Sequence, residues 1–163
     1  MGGREFGALA GERPAPFGHD ELQRLIARQT MALPCFAETG GPFAGQVGRV
    51  AGPQPQSDAE RAALATLYVV LMTDHCLQAL GASGRVVVEG AFTVNPWFGP
   101  LLAGLADGRD VAVSDDGSGT TCGAWLLAAW GREAAPAPAP VAAWCPPGWL
   151  AYRDLWRQQA GAQ

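Results

Sequence analysis

The segment from Arg85 to Trp130 constrains the fold of this chain more than any other stretch. It reads RVVVEGAFTVNPWFGPLLAGLADGRDVAVSDDGSGTTCGAWLLAAW, in which short β-branched runs alternate with apolar segments of helical period. Val86 to Val88 predicts a strand that is apolar on both faces and therefore lies in the interior of a parallel or mixed sheet. A glycine at the end of such a strand is typical of ligand-binding α/β crossovers, in which backbone amides and a helix N-terminus meet.

The rest of this segment predicts a helix, a second strand and a last helix. Asn95 followed by Pro96 indicates a helix start, because the asparagine side chain can cap free amides and proline suits the first turn. This helix runs toward Asp107. Val111 to Val113 predicts the second strand, which leads through SDDGSGTT into a helix that ends near Trp130.

The clearest element upstream of Arg85 is a long helix. Ser57 with Glu60 forms a capping box, and the following AALATLYVVLMTDHCLQAL is apolar nearly all round until Gly81 ends it. Such a helix must be buried on most of its faces. The predicted order of elements is thus buried helix, strand, helix, strand, helix.

The first third of the chain predicts less structure. Asp20 with Gln23 looks like another capping box, opening a short helix to about Met31. Residues 34–56 are rich in proline and glycine and predict a loop with one brief strand around Gln46 to Val50.

Composition excludes several classes of function. With 163 residues, 48% of them hydrophobic and 16% charged, the chain is globular rather than disordered. With a net charge of −4 and no cluster of basic residues, the sequence contains no basic patch that would bind nucleic acid.

The N-terminus lacks the apolar core of a signal peptide, and the longest nearly apolar run, Ala62 to Met72, is shorter than the ~20 residues of a membrane helix. We therefore expect a cytoplasmic protein without a nucleic-acid or membrane partner. Its widely spaced cysteines are expected to be reduced: Cys35, Cys76, Cys122 and Cys145.

Three motifs follow one another in a recognisable order. They are LYVVLMTD on the buried helix, VVVEGAFTVNPWF at the strand-to-helix turn and SDDGSGTTCGAWLLA at the last crossover. Together they resemble the end of the C-terminal lobe of the FGGY family of carbohydrate kinases, particularly its fuculokinase-like and rhamnulokinase-like members. The opening MGGREF and the loop before Ser57 extend the resemblance to roughly residues 1–131.

The resemblance implies an α/β fold. The expected architecture is a partial actin-like ATPase (ribonuclease H-like) C-terminal lobe, in which helices pack on a mixed sheet. We expect a truncated FGGY C-terminal domain over residues 1–131, an Ala/Pro-rich linker over 132–147 and a C-terminal helix over 148–163.

The resemblance also implies a nucleotide contact. In the family, the turn after the first strand of the crossover holds the adenine and ribose of ATP, and here Gly90, Ala91 and Asn95 occupy it. A residue without a Cβ lets a flat ring approach the backbone, and free amides near Asn95 would donate to ligand oxygens. Glu89 stands where the family more usually has a glycine.

The activity implied for an intact relative is transfer of the ATP γ-phosphoryl group to a carbohydrate hydroxyl with Mg²⁺. The phosphate loop and the catalytic aspartate of such a kinase would lie in an N-terminal lobe upstream of Met1. We therefore expect this chain to bind nucleotide, to meet its sugar only together with that lobe, and to be inactive alone. The alternative is a non-catalytic nucleotide-binding or oligomerisation module, with a second copy or a separately encoded N-terminal lobe as partner.

Other polar groups have structural interpretations that we favour over catalytic or metal-binding ones. Asp74 and His75 are adjacent on a helix, so their side chains point about 100° apart and do not form a dyad. Asp115 and Asp116 precede a helix, where carboxylates commonly act as caps, although they could ligate Mg²⁺. The SGTT sequence at residues 118–121 is expected to be a helix start rather than a phosphate loop.

The tryptophan side chains are predicted to be buried. Trp97, Trp125 and Trp130 lie on predicted helices, so we expect burial in the core or at a lobe interface. Trp149 and Trp156 recur at helical spacing in the tail, which is expected to dock either on the domain or on the missing lobe.

Overall fold

The computed structural model describes residues 2–36, 41–106, 108–114, 119–132 and 137–162, without the side chains of residues 119, 120 and 122. It divides into two compact units: unit 1 comprises Met1–Ala82 and Cys145–Gln163, and unit 2 comprises Ser83–Trp144. Residues 139–144, which fall within the expected linker over 132–147, pair and pack within unit 2.

Unit 1 is built around one long buried helix, α3 (Asp58–Ala79). Its predicted cap is confirmed, since the Ser57 hydroxyl accepts a hydrogen bond from the Glu60 N–H at 3.1 Å. At the other end Gly81 has a left-handed φ of 60°, and the N–H groups of Gly81 and Ala82 donate to carbonyls of the last turn. This arrangement ends the helix where the sequence predicts.

Burial of α3 is also as predicted, because every residue from 62 to 72 is buried. By length and composition alone, the whole helix is long and apolar enough to cross a membrane. The run from Ala62 to Met72, taken by itself, is too short to suggest this. However, 67% of its most apolar window is buried by the rest of the chain. Core helices of globular domains have the same length and composition.

Two shorter helices of unit 1, α1 (Gly2–Ala10) and α2 (His19–Ala27), pack on α3. In α1, Phe6, Leu9 and Ala10 follow the i, i+3, i+4 spacing of one helix face and pack against alanines of α3. The same helix carries Glu5, which is 1% exposed. The Tyr68 hydroxyl of α3 donates to the Glu5 carboxylate at 2.8 Å, so this buried charge is hydrogen-bonded.

The helix predicted from Asp20 to Met31 is shorter than expected, and its cap lies elsewhere. α2 begins after Gly18, whose N–H donates to the Glu21 carboxylate at 2.8 Å, so Glu21 rather than Gln23 closes the N-terminus. The chain leaves the helix at Gln29, which has a φ of 53°.

Residues assigned to the end of that helix form a strand instead. β1 (Met31–Leu33) pairs antiparallel with β2 (Arg49–Ala51). β2 lies at the end of the segment in which a brief strand is predicted.

The C-terminal helix, α6 (Trp149–Ala160), completes the core of unit 1. Trp149 and Trp156 are 0% and 1% exposed. The Tyr152 hydroxyl donates to the Thr30 carbonyl at 2.5 Å, and the Trp156 indole N–H donates to the Ala32 carbonyl at 2.8 Å. The sequence left open whether this helix docks on the domain or on a missing lobe, and in the structure it docks on the domain.

The described part of unit 2 contains a small mixed sheet, as predicted, with a third strand in the segment expected to be a linker. β3 (Val86–Val88) pairs parallel with β4 (Val111–Val113), and β4 pairs antiparallel with β5 (Ala139–Pro140). The sheet order places β3 at an edge, and Val87 is 40% exposed. The prediction of an interior strand is therefore wrong. Three consecutive valines suit an edge strand and a central strand equally, and the order of strands in the sheet depends on pairing with residues far along the chain.

The crossover between β3 and β4 consists of a 3₁₀ helix (Gly90–Val94) and then α4 (Phe98–Ala103). The helix predicted to start at Asn95 begins only at Phe98, because Asn95 itself is extended, with a ψ of 107°. β4 leads on to α5 (Gly119–Ala128), which completes the predicted order of five elements.

Core burial of the unit 2 tryptophans is only partly observed. Trp97 is half-buried and lies with its ring centroid 5.3 Å from that of Trp144. Trp125 and Trp130 are 52% and 80% exposed, and nearby Leu127 is 69% exposed. Of the two expected environments, the core is therefore not observed for Trp125 and Trp130, and burial at a lobe interface stays a prediction, because helical spacing does not show what covers a face. Trp125 and Leu127 lie in α5, and Trp130 lies in the turn that follows it.

Candidate functional site

The candidate site lies at the carboxyl ends of the two parallel strands of unit 2. The N–H of Ser114 donates to the carbonyl of Val88 at 3.0 Å, which continues the ladder one residue past β4. Glu89 and Gly90 are therefore next to Ser114, at the carboxyl ends of the parallel strands. In open α/β sheets, ligands bind at these strand ends.

Gly90 sets the direction of the chain at this edge. Its φ of 75° is a left-handed conformation that strains other residues. Within the described residues, a Cβ added at Gly90 would meet no atom within 4 Å, so the backbone conformation rather than lack of space favours glycine. None of the described residues fills the space beside Gly90.

The turn that follows is held by its own hydrogen bonds. The Thr93 hydroxyl donates to the Gly90 carbonyl at 2.9 Å, and the Asn95 N–H donates to the Phe92 carbonyl at 3.2 Å. The Phe92 ring stacks on Phe98 of α4, with centroids 4.8 Å apart and planes 16° apart. These contacts fix the 3₁₀ helix against α4.

Asn95 connects the turn to the helix. Its side-chain oxygen accepts the Trp97 N–H at 3.0 Å and its backbone carbonyl accepts the Phe98 N–H at 3.3 Å. The amides that the sequence suggests for ligand oxygens are thus already bonded to Asn95 itself. Ala91 is exposed, Asn95 is half-buried, and both lie with Gly90 in one short turn.

Glu89 is a feature of this edge that sequence reasoning treated only as a departure from the family pattern. Its side chain is exposed, and within the described part of the chain it makes no hydrogen bond or ion pair. The sequence feature that could have marked Glu89 as a site residue is its position directly after three valines, at the end of a strand.

Asp74 and His75 belong to unit 1 and contact α6. Asp74 is fully buried and accepts a hydrogen bond from the Arg157 guanidinium at 2.6 Å. His75 has its ring centroid 4.9 Å from that of Phe43 and 6.5 Å from that of Trp156. Burial, together with the nearby Arg157 charge, lowers the pKa of His75. Asp74 therefore forms an ion pair with α6, whereas His75 packs against aromatic rings.

The remaining candidates lie in or next to a stretch that is only partly described. Residues 119–121 are the first residues of α5, as expected for a helix start, whereas Ser118, Asp115 and Asp116 lie outside the described residues. Across the described ranges, no group of three or more histidine, cysteine or acidic residues is placed to hold a metal ion. Among the described side chains, Cys35, Cys76 and Cys145 form no disulfide bond.

Comparison with known proteins identifies the family. The model of the C-terminal domain of FGGY carbohydrate kinases matches residues 1–137. The chain belongs to the FGGY family of carbohydrate kinases. Its structure matches the crystal structure of a carbohydrate kinase from Novosphingobium aromaticivorans, with 27% sequence identity and a TM-score of 0.79. No curated protein matches the sequence.

The structural match covers 99% of this FGGY domain and 36% of the Novosphingobium chain. The chain thus spans about a third of that kinase. It has the fold of the C-terminal domain of an actin-like ATPase, as the resemblance implies. The structural match also extends beyond residue 137, where the family match ends, and into α6.

Proposed function

We propose that this FGGY domain is the nucleotide-binding lobe of a kinase that transfers the γ-phosphoryl group of ATP to a carbohydrate hydroxyl. The observation that carries the proposal is the left-handed Gly90 turn with open space beside it, at the carboxyl edge of a parallel strand pair, in a member of this family. In this proposal Gly90 and Ala91 lie against the adenine, and Asn95 holds the turn in shape.

The residues fit this role. A flat purine ring needs backbone without a projecting side chain, and Gly90 followed by exposed Ala91 offers that surface. The stack of Phe92 on Phe98 keeps the turn rigid before ligand arrives, which reduces the entropy lost on binding. The chain's contribution would be to bind and orient the nucleotide.

The rest of the reaction is proposed to need a second lobe. Since the domain matches 36% of a carbohydrate kinase, we assign the sugar site, the catalytic base and the phosphate loop to the portion without a counterpart here. Mg²⁺ would neutralise charge on the ATP phosphates. The described residues supply no ligand cluster for it. We therefore expect the 163 residues alone to bind nucleotide in the cytoplasm but to transfer no phosphate.

A matched pair of glycine substitutions tests the nucleotide site. Gly90 and Gly84 both have left-handed φ angles, 75° and 119°, and open space at the Cβ position. Valine at either position is expected to strain the backbone by roughly 1–3 kcal/mol. Only Gly90→Val should also remove the stabilisation by ADP, which is about 2.7 kcal/mol at a ligand concentration 100 times Kd.

Thermal unfolding with and without ADP measures this difference. Retention of the full ADP shift by Gly90→Val would show that the nucleotide does not use this turn. The inactivity of the isolated chain is checked by incubation with ATP, Mg²⁺ and a panel of sugars, and robust ADP formation would contradict it.

The exposed tryptophans in and just after α5 favour a second candidate function, a non-catalytic module that oligomerises or binds a separately encoded lobe. Trp125 and Trp130 are 52% and 80% exposed, and an open groove lined by Trp125, Ala128, Ala129 and Arg132 lies beside them. Large exposed apolar patches commonly mark interaction sites. A defined dimer in sedimentation equilibrium that Trp130→Ser dissociates, together with no ADP shift, would favour this candidate.

A further inference from the structure

We infer that the carboxylate of Glu89 binds the ribose hydroxyls of the nucleotide and makes the site selective for ribonucleotides. This inference rests on the nucleotide site proposed at Gly90 and adds a specificity-determining residue to it. Glu89 directly precedes Gly90 at the carboxyl end of β3.

The position of Glu89 is held on both sides. Val88 before it is buried and its carbonyl accepts the Ser114 N–H, while Gly90 after it begins the 3₁₀ helix. The backbone is therefore fixed, yet the carboxylate has no protein partner among the described residues. Asp110, another exposed acid of unit 2, instead lies 3.8 Å from Arg85.

Carboxylate chemistry selects one part of the nucleotide. An ionised carboxylate only accepts hydrogen bonds, and its two oxygens can accept from both hydroxyls of a vicinal diol. It repels phosphate oxygens, so it does not favour the triphosphate end. Acidic residues bind ribose hydroxyls in this way at the strand ends of dinucleotide-binding folds. The adenine 6-amino group is the other neutral donor of ATP, and the test must separate the two.

The experiment uses the full chain, with binding of ADP, 2′,3′-dideoxyADP and IDP measured by isothermal titration calorimetry. The wild type should bind ADP about tenfold more tightly than dideoxyADP, since a hydrogen bond to a charged group contributes about that factor. In Glu89→Gln this ratio should fall, because the neutral amide keeps only one acceptor oxygen and loses the charge. Asp110→Asn removes one exposed charge from the same unit and should keep the wild-type ratio.

The outcomes separate this inference from the function on which it rests. If wild type and Glu89→Gln discriminate equally between ADP and dideoxyADP, Glu89 does not bind the ribose, although nucleotide binding stands. If Glu89→Gln changes only the preference for ADP over IDP, the carboxylate contacts the base and the inference is overturned. If the wild type binds no nucleotide, both the site and the ribose contact are refuted.

Discussion

Removal of the Arg157 guanidinium should destabilise unit 1 far more than its position near the surface suggests. Asp74 has 0% of its side chain exposed, and Arg157, with 24% exposed, lies 2.6 Å away. Arg157→Met keeps most of the apolar stem but removes the charge that compensates a buried carboxylate. Breaking a buried pair in this way typically costs about 3–5 kcal/mol. We expect a loss near the lower end, because Arg157 is itself partly solvated.

A neighbouring arginine provides the matched control. Arg153 is on the same helix and lies 2.9 Å from Asp154, whose side chain is 62% exposed. Arg153→Met leaves a carboxylate in water rather than in the core, so the expected loss is within about 1 kcal/mol. Asp74→Asn in the Arg157→Met background should recover most of the larger loss, because a neutral amide needs no counter-charge.

Urea unfolding followed by far-UV circular dichroism measures these effects, since most of the helices belong to unit 1. With a slope of about 2 kcal/mol per M, a loss of about 3 kcal/mol lowers the midpoint by about 1.5 M. Equal midpoints for Arg157→Met and Arg153→Met would refute the reasoning. No recovery in the double variant would show that lost packing, rather than the uncompensated charge, causes the effect.

Two further predictions concern stability. Glu60 accepts the Gln56 N–H at 2.9 Å, and this bond, with nearby arginines, lowers its pKa from the ordinary value of 4.5. Its contribution is therefore present above pH 4.5 and lost as the pH falls through the lowered pKa, so Glu60→Gln should reduce the Tm at neutral pH and match wild type in acid. Gly104→Ala would place a Cβ against the Trp144 carbonyl and should lower the Tm, whereas Gly123→Ala meets no atom within 4 Å and should raise stability by about 0.5–1 kcal/mol. Differential scanning calorimetry checks both, and equal shifts for the two alanine variants would contradict the packing argument.

Local chemistry made part of the fold predictable. The Ser57 cap and the Gly81 stop of α3 depend on residues within one turn of each helix end, so the sequence contains the whole cause. The strand β1 was missed because Met31–Leu33 continues an apolar helical pattern, and only pairing with distant residues 49–51 makes it extended. Edge or centre placement of β3 likewise depends on the sheet order and not on its valines.

The candidate site was predictable through the family resemblance rather than through local patterns. Gly90, Ala91 and Asn95 do lie in one turn, but their contact with a nucleotide stays a prediction. The 3₁₀ helix was not foreseen, because the Thr93 and Phe92 contacts that hold it have no simple sequence signal. The sequence leaves open whether Trp125 and Trp130 lie in the core or at a lobe interface, because an apolar helical pattern does not specify a partner.

Unit 1 is formed from two stretches of chain that are separated by unit 2, and this has a consequence for biosynthesis. Trp149 and Trp156 fill the core of unit 1, yet they are synthesised after every residue of unit 2. Until then, the carbonyls of Thr30 and Ala32 lack the side-chain donors that bind them in the native structure. Unit 2 is contiguous, so all of its residues are synthesised before the last stretch of unit 1 exists.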